Sequence, residues 1–192
     1  MQDSIVKDIP KIHDEILRKS KEVGFAMPSD LFVGSFLKTL ITSKPKGNFL
    51  ELGTGIGLSL SWMIAGLDEG SRLISVDNDA ELIKIALHYF GDDKRVTLIC
   101  QDGTRWLKEY TGPKFDLIFA DTWPGKYSVL AEVLELIEVG GFYIIDDMEK
   151  QPNWPEGHEK HVQRLIDYLE GRNDFQITKM NWSTGLIVAV KK

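Results

Sequence analysis

Two periodicities divide this chain. Up to residue 45 the apolar positions recur at helical spacing, and from Asn48 onward they fall into short, almost continuous runs. Ile5, Ile9, Ile12 and Ile16 mark one helical face, with Pro10 set to break or kink it. A second helix is expected over "SDLFVGSFLKTLI", opened by Ser29 or Asp30 as its cap. The later runs "NFLEL", "RLISVD", "RVTLIC", "FDLIFAD" and "GGFYIIDD" read as strands. Between them "LSLSWMIAGL", "NDAELIKIALHYF", "TRWLKEY" and "YSVLAEVLELI" read as helices, the second opened by Asn78 and Glu81 in the form of a capping box. After residue 150, "HEKHVQRLIDYLEG" sets Val162, Leu165, Ile166 and Leu169 on one helical face. The runs "FQITKMNW" and "GLIVAVKK", separated by a short turn, then suit a hairpin.

Apolar strands alternating with helices imply a parallel sheet covered on both faces. The expected fold is α/β: a Rossmann-like, doubly wound, mostly parallel seven-stranded sheet with a C-terminal antiparallel hairpin. Residues 1–192 are expected to form a single domain, with 1–45 as an N-terminal helical cap and 46–192 as the Rossmann-like core.

In such sheets ligands bind beyond the carboxyl ends of the strands. Here every early strand ends near a carboxylate: Glu51, Asp77, Asp102, Asp121, and the pair Asp146 and Asp147. The loop "LELGTGIGLS" spaces Gly53, Gly55 and Gly57 as G-x-G-x-G, whereas the dinucleotide fingerprint is G-x-G-x-x-G. Glu51, just before it, would repel a pyrophosphate and suit an amino group, which opposes a dinucleotide-dependent oxidoreductase. Asp77 follows the loop by about 20 residues, the distance at which an acid reaches ribose hydroxyls. Asp102 can accept from the exocyclic amine of adenine. Each carboxylate also has an ordinary use as a cap or turn residue, but the three in this order fit an adenosine ligand without phosphates.

Charge narrows the partners. Against 23 Lys and Arg stand 29 Asp and Glu, a net charge of −6, which opposes sequence-independent binding to nucleic acid. No run approaches the about 18 apolar residues of a membrane span, and the N-terminus has no apolar signal core. A cytoplasmic protein is expected. The lone Cys100 excludes an internal disulfide and, lying in an apolar run, is expected to be a small buried side chain.

"FLELGTGIGLS", "ISVDNDAELI", "VTLICQDGTRWL", "FDLIFADTWPGKY" and "GGFYIIDD" together resemble the successive motifs of class I S-adenosylmethionine-dependent methyltransferases. Within that class the chain is most similar to the catechol and caffeoyl-CoA O-methyltransferase group, over about residues 25–150 and the terminal "GLIVAV" strand. The resemblance implies that Gly53, Gly55 and Ser59 line the methionine end of the cofactor, with Glu51 toward its amino group. Asp77 would hold the ribose, while Asp102, Gly103 and Trp123 would surround the adenine. Thr54, Gly57, Asn78 and Asp121 complete the expected cofactor set.

The same resemblance implies a divalent metal, magnesium or similar, on Asp121, Asp146 and Asp147. Hard carboxylate oxygens suit such an ion. The group's usual Asn is replaced by Asp147, and adjacent residues of a regular strand face opposite sides. A lysine of the group, three residues past the metal Asp, is Pro124 here. Asp121 and Lys126 are therefore the expected catalytic residues, with His158 and His161 as further side chains that could reach the site. The expected acceptor is a hydroxyl oxygen of a small molecule. A tRNA-modifying O-methyltransferase, using a basic patch near Lys7, Lys11, Arg18, Lys19 and Lys21, and a non-catalytic cofactor-binding protein remain alternatives. The N-terminal part, including Met27, would cover the cofactor or pair two copies as a homodimer.

Overall fold

The computed structural model describes residues 5–152 and 154–192; the first four residues of the N-terminal cap lie outside the described residues. Two helices come first, α1 (His13–Glu22) and α2 (Leu31–Thr42). The core then runs β1 (Asn48–Leu52), α3 (Leu58–Gly66), β2 (Arg72–Asp77), α4 (Ala80–Phe90), β3 (Val96–Cys100), α5 (Gly103–Glu109) and β4 (Phe115–Ala120). It continues as α6 (Trp123–Lys126), α7 (Leu130–Glu135), β5 (Ile137–Ile145), α8 (His158–Glu170), β6 (Phe175–Met180) and β7 (Leu186–Lys191). The seven strands lie in the order β3-β2-β1-β4-β5-β7-β6, with β1 to β5 parallel and β7 antiparallel to both β5 and β6. The expected sheet and its terminal hairpin are thus present.

Strand alternation sorts β1 between two cores. Leu50 and Leu52 face α7 and α8 through Val133, Leu165 and Leu169, while Phe49 faces α2 and α3 through Leu37, Ile41 and Met63. Glu51 shares the face of Phe49 and is fully buried there. Strand order reverses between β1 and β4, so Gly53 and Asp121 emerge side by side. The Asp121 amide donates to Leu52 O at 2.9 Å.

Three local expectations are corrected. The helix does not run through Ile5 and Ile9, which are 59% and 40% exposed, and only from His13 is the chain helical. Pro10 supplies no amide, and its carbonyl instead accepts from the His13 amide at 2.9 Å, which sets the first turn. Helix α4 is capped by Asp79, not Asn78: Asp79 Oδ1 accepts from the amides of Glu81 and Leu82 at 2.9 and 3.1 Å. Cys100 is exposed, because it ends the edge strand β3 and has no sheet neighbour on one side. Asp30, by contrast, caps α2 as expected, accepting from the Val33 amide at 2.9 Å.

Helices α2 and α3 cross at Gly34, where a Cβ would stand 2.4 Å from the Trp62 indole. Gly34→Ala is expected to lower stability by about 2 kcal/mol through overpacking. That corresponds to a fall of roughly 4–8 °C in Tm for a domain of this size; an unchanged Tm would show that the two helices can move apart freely. Among the described residues no helix is long and apolar enough to cross a membrane.

Candidate active site

The loop after β1 is built on left-handed backbone. Gly53, Gly55 and Gly57 have φ of 99°, 50° and 94°, values that L side chains rarely adopt. A Cβ at Gly53 would meet Asp121 O at 2.8 Å, so a glycine lets the ends of β1 and β4 touch. The turn also aims the Gly55 amide at Asp77 Oδ2, 2.8 Å away. Asp77, at the end of β2, thereby fixes the loop while keeping its place on the cavity wall.

Beneath the loop lies a closed polar chain. Ser59 Oγ donates to Glu51 Oε1 at 2.6 Å, Ser75 Oγ donates to Glu51 Oε2 at 2.5 Å, and Thr54 and Ser75 hydroxyls pair at 2.6 Å. Burial raises the Glu51 carboxyl from its usual 4.5 to about 7, against the opposing effect of the two serine bonds. Glu51 is absent from the cavity wall; Ser59, which bonds it directly, and Thr54, linked to it through Ser75, are on it. Glu51, expected to face a ligand amine, is instead fully buried and bonded by Ser59 and Ser75.

Glu51 makes stability pH-dependent. Between about pH 4.5 and 7 the unfolded chain releases this proton while the folded chain keeps it, so folding weakens as pH rises and levels off above 7. The contribution is about 3 kcal/mol. Glu51→Gln is expected to flatten that part of the stability–pH curve of the ligand-free protein, measured by urea denaturation; an unchanged slope would place the carboxylate's ionisation in the ordinary acid range.

Three neighbouring cavities share wall residues at the strand ends. One of about 280 Å³ is lined by Gly53, Thr54, Gly55, Ser59, Asp77 and Asp121, with Phe25, Met27 and Pro28 across from them. A second, about 320 Å³, shares Gly53, Asp77 and Asn78 and adds Asp102, Gly103 and Trp123. A third, about 130 Å³, lies between Met27 and Pro28 on one side and Asp121, Asp146, Asp147 and Thr184 on the other. Of the expected cofactor residues, only Glu51 and Gly57 stand off these walls; Gly57 instead opens α3. Asp102 serves both uses, since it also caps α5 by accepting from the Arg105 amide at 2.8 Å.

Strand β5 ends at Ile145, and Asp147 turns into the left-handed region with φ 55°. That turn releases the pair from strand alternation, and both carboxylates line the third cavity. Burial and the charge of Asp146 hold the Asp121 carboxyl well above the usual range, with Lys126 opposing. Asp146 rises from 3.8 to about 6, chiefly by burial.

Comparison with known proteins decides what this arrangement belongs to. The sequence profile of the O-methyltransferase family matches residues 9–181. The chain belongs to that family. It is 28% identical over 178 residues to an Arabidopsis thaliana protein named as a candidate caffeoyl-CoA O-methyltransferase, covering 83% of this chain and 77% of the relative. It is 25% identical over 143 residues to a candidate O-methyltransferase of Mycobacterium ulcerans, covering 69% of this chain but 62% of that protein's length. In fold it is similar to the Bacillus cereus O-methyltransferase solved in complex with S-adenosylhomocysteine, with a TM-score of 0.83, 20% identity and coverage of 98% and 94% of the two chains. The resemblance drawn from the motifs is thus borne out, and the chain is an S-adenosylmethionine-dependent O-methyltransferase.

In this O-methyltransferase the lysine expected near the carboxylates is deeply placed. Lys126 is 5% exposed, and its Nζ donates to Asp146 O at 2.7 Å. The turn that buries it is the kinked α6, with extended Pro124 and left-handed Gly125, pinned where Tyr143 Oη donates to Gly125 O at 2.5 Å. His158 is buried behind Trp123, its Nε2 3.1 Å from Tyr127 Oη, and burial and the charge of Lys126 lower its pKa. Neither His158 nor His161 lines the three neighbouring cavities.

The three aspartates are donors of the right kind for magnesium or a similar hard cation. Among the described residues, however, no three Asp, Glu, His or Cys side chains are gathered as a metal-binding group. One oxygen of Asp146 is occupied by the Thr184 hydroxyl and, at 2.7 Å, the Asp147 amide. Thr184 and Phe25 line these cavities and were missed by the sequence reading; they lie far along the chain from the strand-end motifs and carry no local signal. Gln151, four residues past Asp147, also lines the third cavity.

Proposed function

We propose that this O-methyltransferase transfers a methyl group from S-adenosylmethionine to a hydroxyl oxygen of a small molecule held in the carboxylate-lined cavity. The carrying observation is that Asp121 lines both that cavity and the larger one under the glycine loop. A ligand in each would meet at its side chain. When bound, the cofactor supplies a methyl group on a positive sulfonium. Gly53, Thr54, Gly55 and Ser59 hold its methionine end in this reading; Asp77 and Asn78 hold the ribose, and Asp102, Gly103 and Trp123 the adenine. The buried carboxylates favour a cationic group at their junction. Asp121 orients the acceptor hydroxyl toward the cofactor cavity, and orientation is the main protein contribution to such a displacement. Asp121, Asp146 and Asp147 would hold a divalent cation if the reaction uses one, which would lower the pKa of a bound hydroxyl. Lys126 lies beside them, its Nζ bonded to Asp146 O.

A small acceptor fits better than tRNA. The third cavity, about 130 Å³, is close to the roughly 150 Å³ that accepts a single benzene ring. The basic residues of α1 alternate with Asp14, Glu15 and Glu22, and Lys19 pairs with Glu22 at 3.2 Å. The test is a thermal-shift series with S-adenosylmethionine, S-adenosylhomocysteine and NADH. A labelled-methyl screen over catechols, flavonoids and tRNA accompanies it, with magnesium and with chelator. Stabilisation by the first two and label on a small molecule are expected. Stabilisation by NADH alone, or label on tRNA alone, would overturn the reading. Cofactor binding with no transfer would favour a non-catalytic role, and activity unchanged by chelator would remove the metal.

A further inference from the structure

Past the end of β5 the backbone of Asp146 is tied to β4 and to Lys126. Its carboxyl is also held from the other end of the chain, at the turn between β6 and β7. Thr184 Oγ1 donates to Asp146 Oδ1, across 38 residues of sequence. The backbone repeats the attachment: the Met148 amide donates to Gly185 O at 3.0 Å and the Glu149 amide to Thr184 O at 2.9 Å. Gly185 allows this closeness, since with φ 83° a Cβ there would stand 2.5 Å from the Glu149 nitrogen.

The turn is itself anchored on the side away from the aspartates. Trp182 packs on Phe32 and Phe36 of α2, with ring centroids 5.4 and 6.3 Å apart. Ser183 hydrogen-bonds to Asp30, the same residue that caps α2. The segment just before that cap, Met27 to Ser29, forms the opposite wall of the carboxylate cavity. One short turn therefore touches the cap helix on one side and Asp146 on the other.

We propose that Thr184 is a positioning residue for Asp146, and that residues 181–185 form a strut fixing this carboxylate relative to the N-terminal cap. Without the hydroxyl, Asp146 Oδ1 keeps only the Asp147 amide, and the side chain is free to rotate out of the cavity. Thr184 acts on the acceptor, or on a cation bound with it, only through Asp146. The cofactor cavity does not include Thr184.

The inference rests on the proposed methyl transfer for its kinetic readout, so the test has one arm that does not. Thr184→Val keeps the shape and removes the hydroxyl; Thr184→Ser restores it. Thr184→Val is expected to raise the KM for the acceptor at least tenfold, with S-adenosylhomocysteine affinity by calorimetry unchanged, and Thr184→Ser to return within about threefold of the parent. Equal losses in Val and Ser variants, or a fall in cofactor affinity matching the loss of activity, would mean a general structural role and overturn the proposal. Should the parent protein transfer no methyl group, the functional reading fails, and crystal structures of the parent and the Val variant still decide the strut. Rotation of Asp146 away from its place in the parent supports it, and an unmoved Asp146 overturns it.

Discussion

Lys126→Met is expected to reduce the unfolding free energy by about 4 kcal/mol, read as a lower urea midpoint with an unchanged m-value. The side chain is 5% exposed, so its ammonium has little water to lose and much protein to lose. It opposes the charges of two buried carboxylates, Asp121 and Asp146, and donates to Asp146 O at 2.7 Å. Methionine matches its length but leaves that carbonyl without its donor and the carboxylates without their positive neighbour. Removing one partner of a buried charge group commonly costs about 3–5 kcal/mol, because the remaining charge is left uncompensated. A loss below about 1 kcal/mol would mean that water reaches the ammonium and screens it, as at an exposed lysine. The position also bears on chemistry: an amine used as hydrogen-bond donor to a backbone carbonyl acts first as a counter-charge, and Lys126→Arg should preserve stability better than Lys126→Met.

Asp121→Asn is expected to lower kcat/KM for the acceptor found in the screen by about 10³-fold, while the affinity for S-adenosylhomocysteine stays within about tenfold. The amide is isosteric, so the walls of both cavities keep their shape. What is removed is the ionisable carboxyl at the place where they meet, which can carry negative charge once a cation is beside it. A charge aimed at a reacting group in a water-poor site is worth far more than the same charge in solvent. An activity within threefold of the parent would move the reacting centre away from Asp121. A loss of cofactor binding as large as the loss of activity would make Asp121 a binding residue alone.

Much of this site was legible along the chain because its first half is local. Strand, glycine loop and helix follow each other within a few residues, and left-handed backbone requires glycine at Gly53, Gly55 and Gly57. The acids at Asp77, Asp102 and Asp121 stand at strand ends, which the change from alternating to helical pattern already marks. Hence the sheet and its terminal hairpin agree with the sequence reading, and most of the residues named at the strand ends line cavities there. The disagreements are of another kind. Glu51 is at the expected place in the strand, but strand alternation turns it toward the α2–α3 face, where it is fully buried and bonded by Ser59. Cys100 is in an apolar run yet exposed, because no pattern reveals which strand will be at the edge.

By itself, then, the sequence determined the order of strands and helices, the glycine turn and the residues at each strand end, since each depends on periodicity or on one residue's own backbone limits. Only the tertiary structure decided that Lys126 is buried among the aspartates, that Asp146 and Asp147 face one cavity, and that Thr184 holds the first of them. Those facts depend on contacts between segments tens of residues apart. Such contacts are set by how the sheet stacks its strands and which face each helix covers.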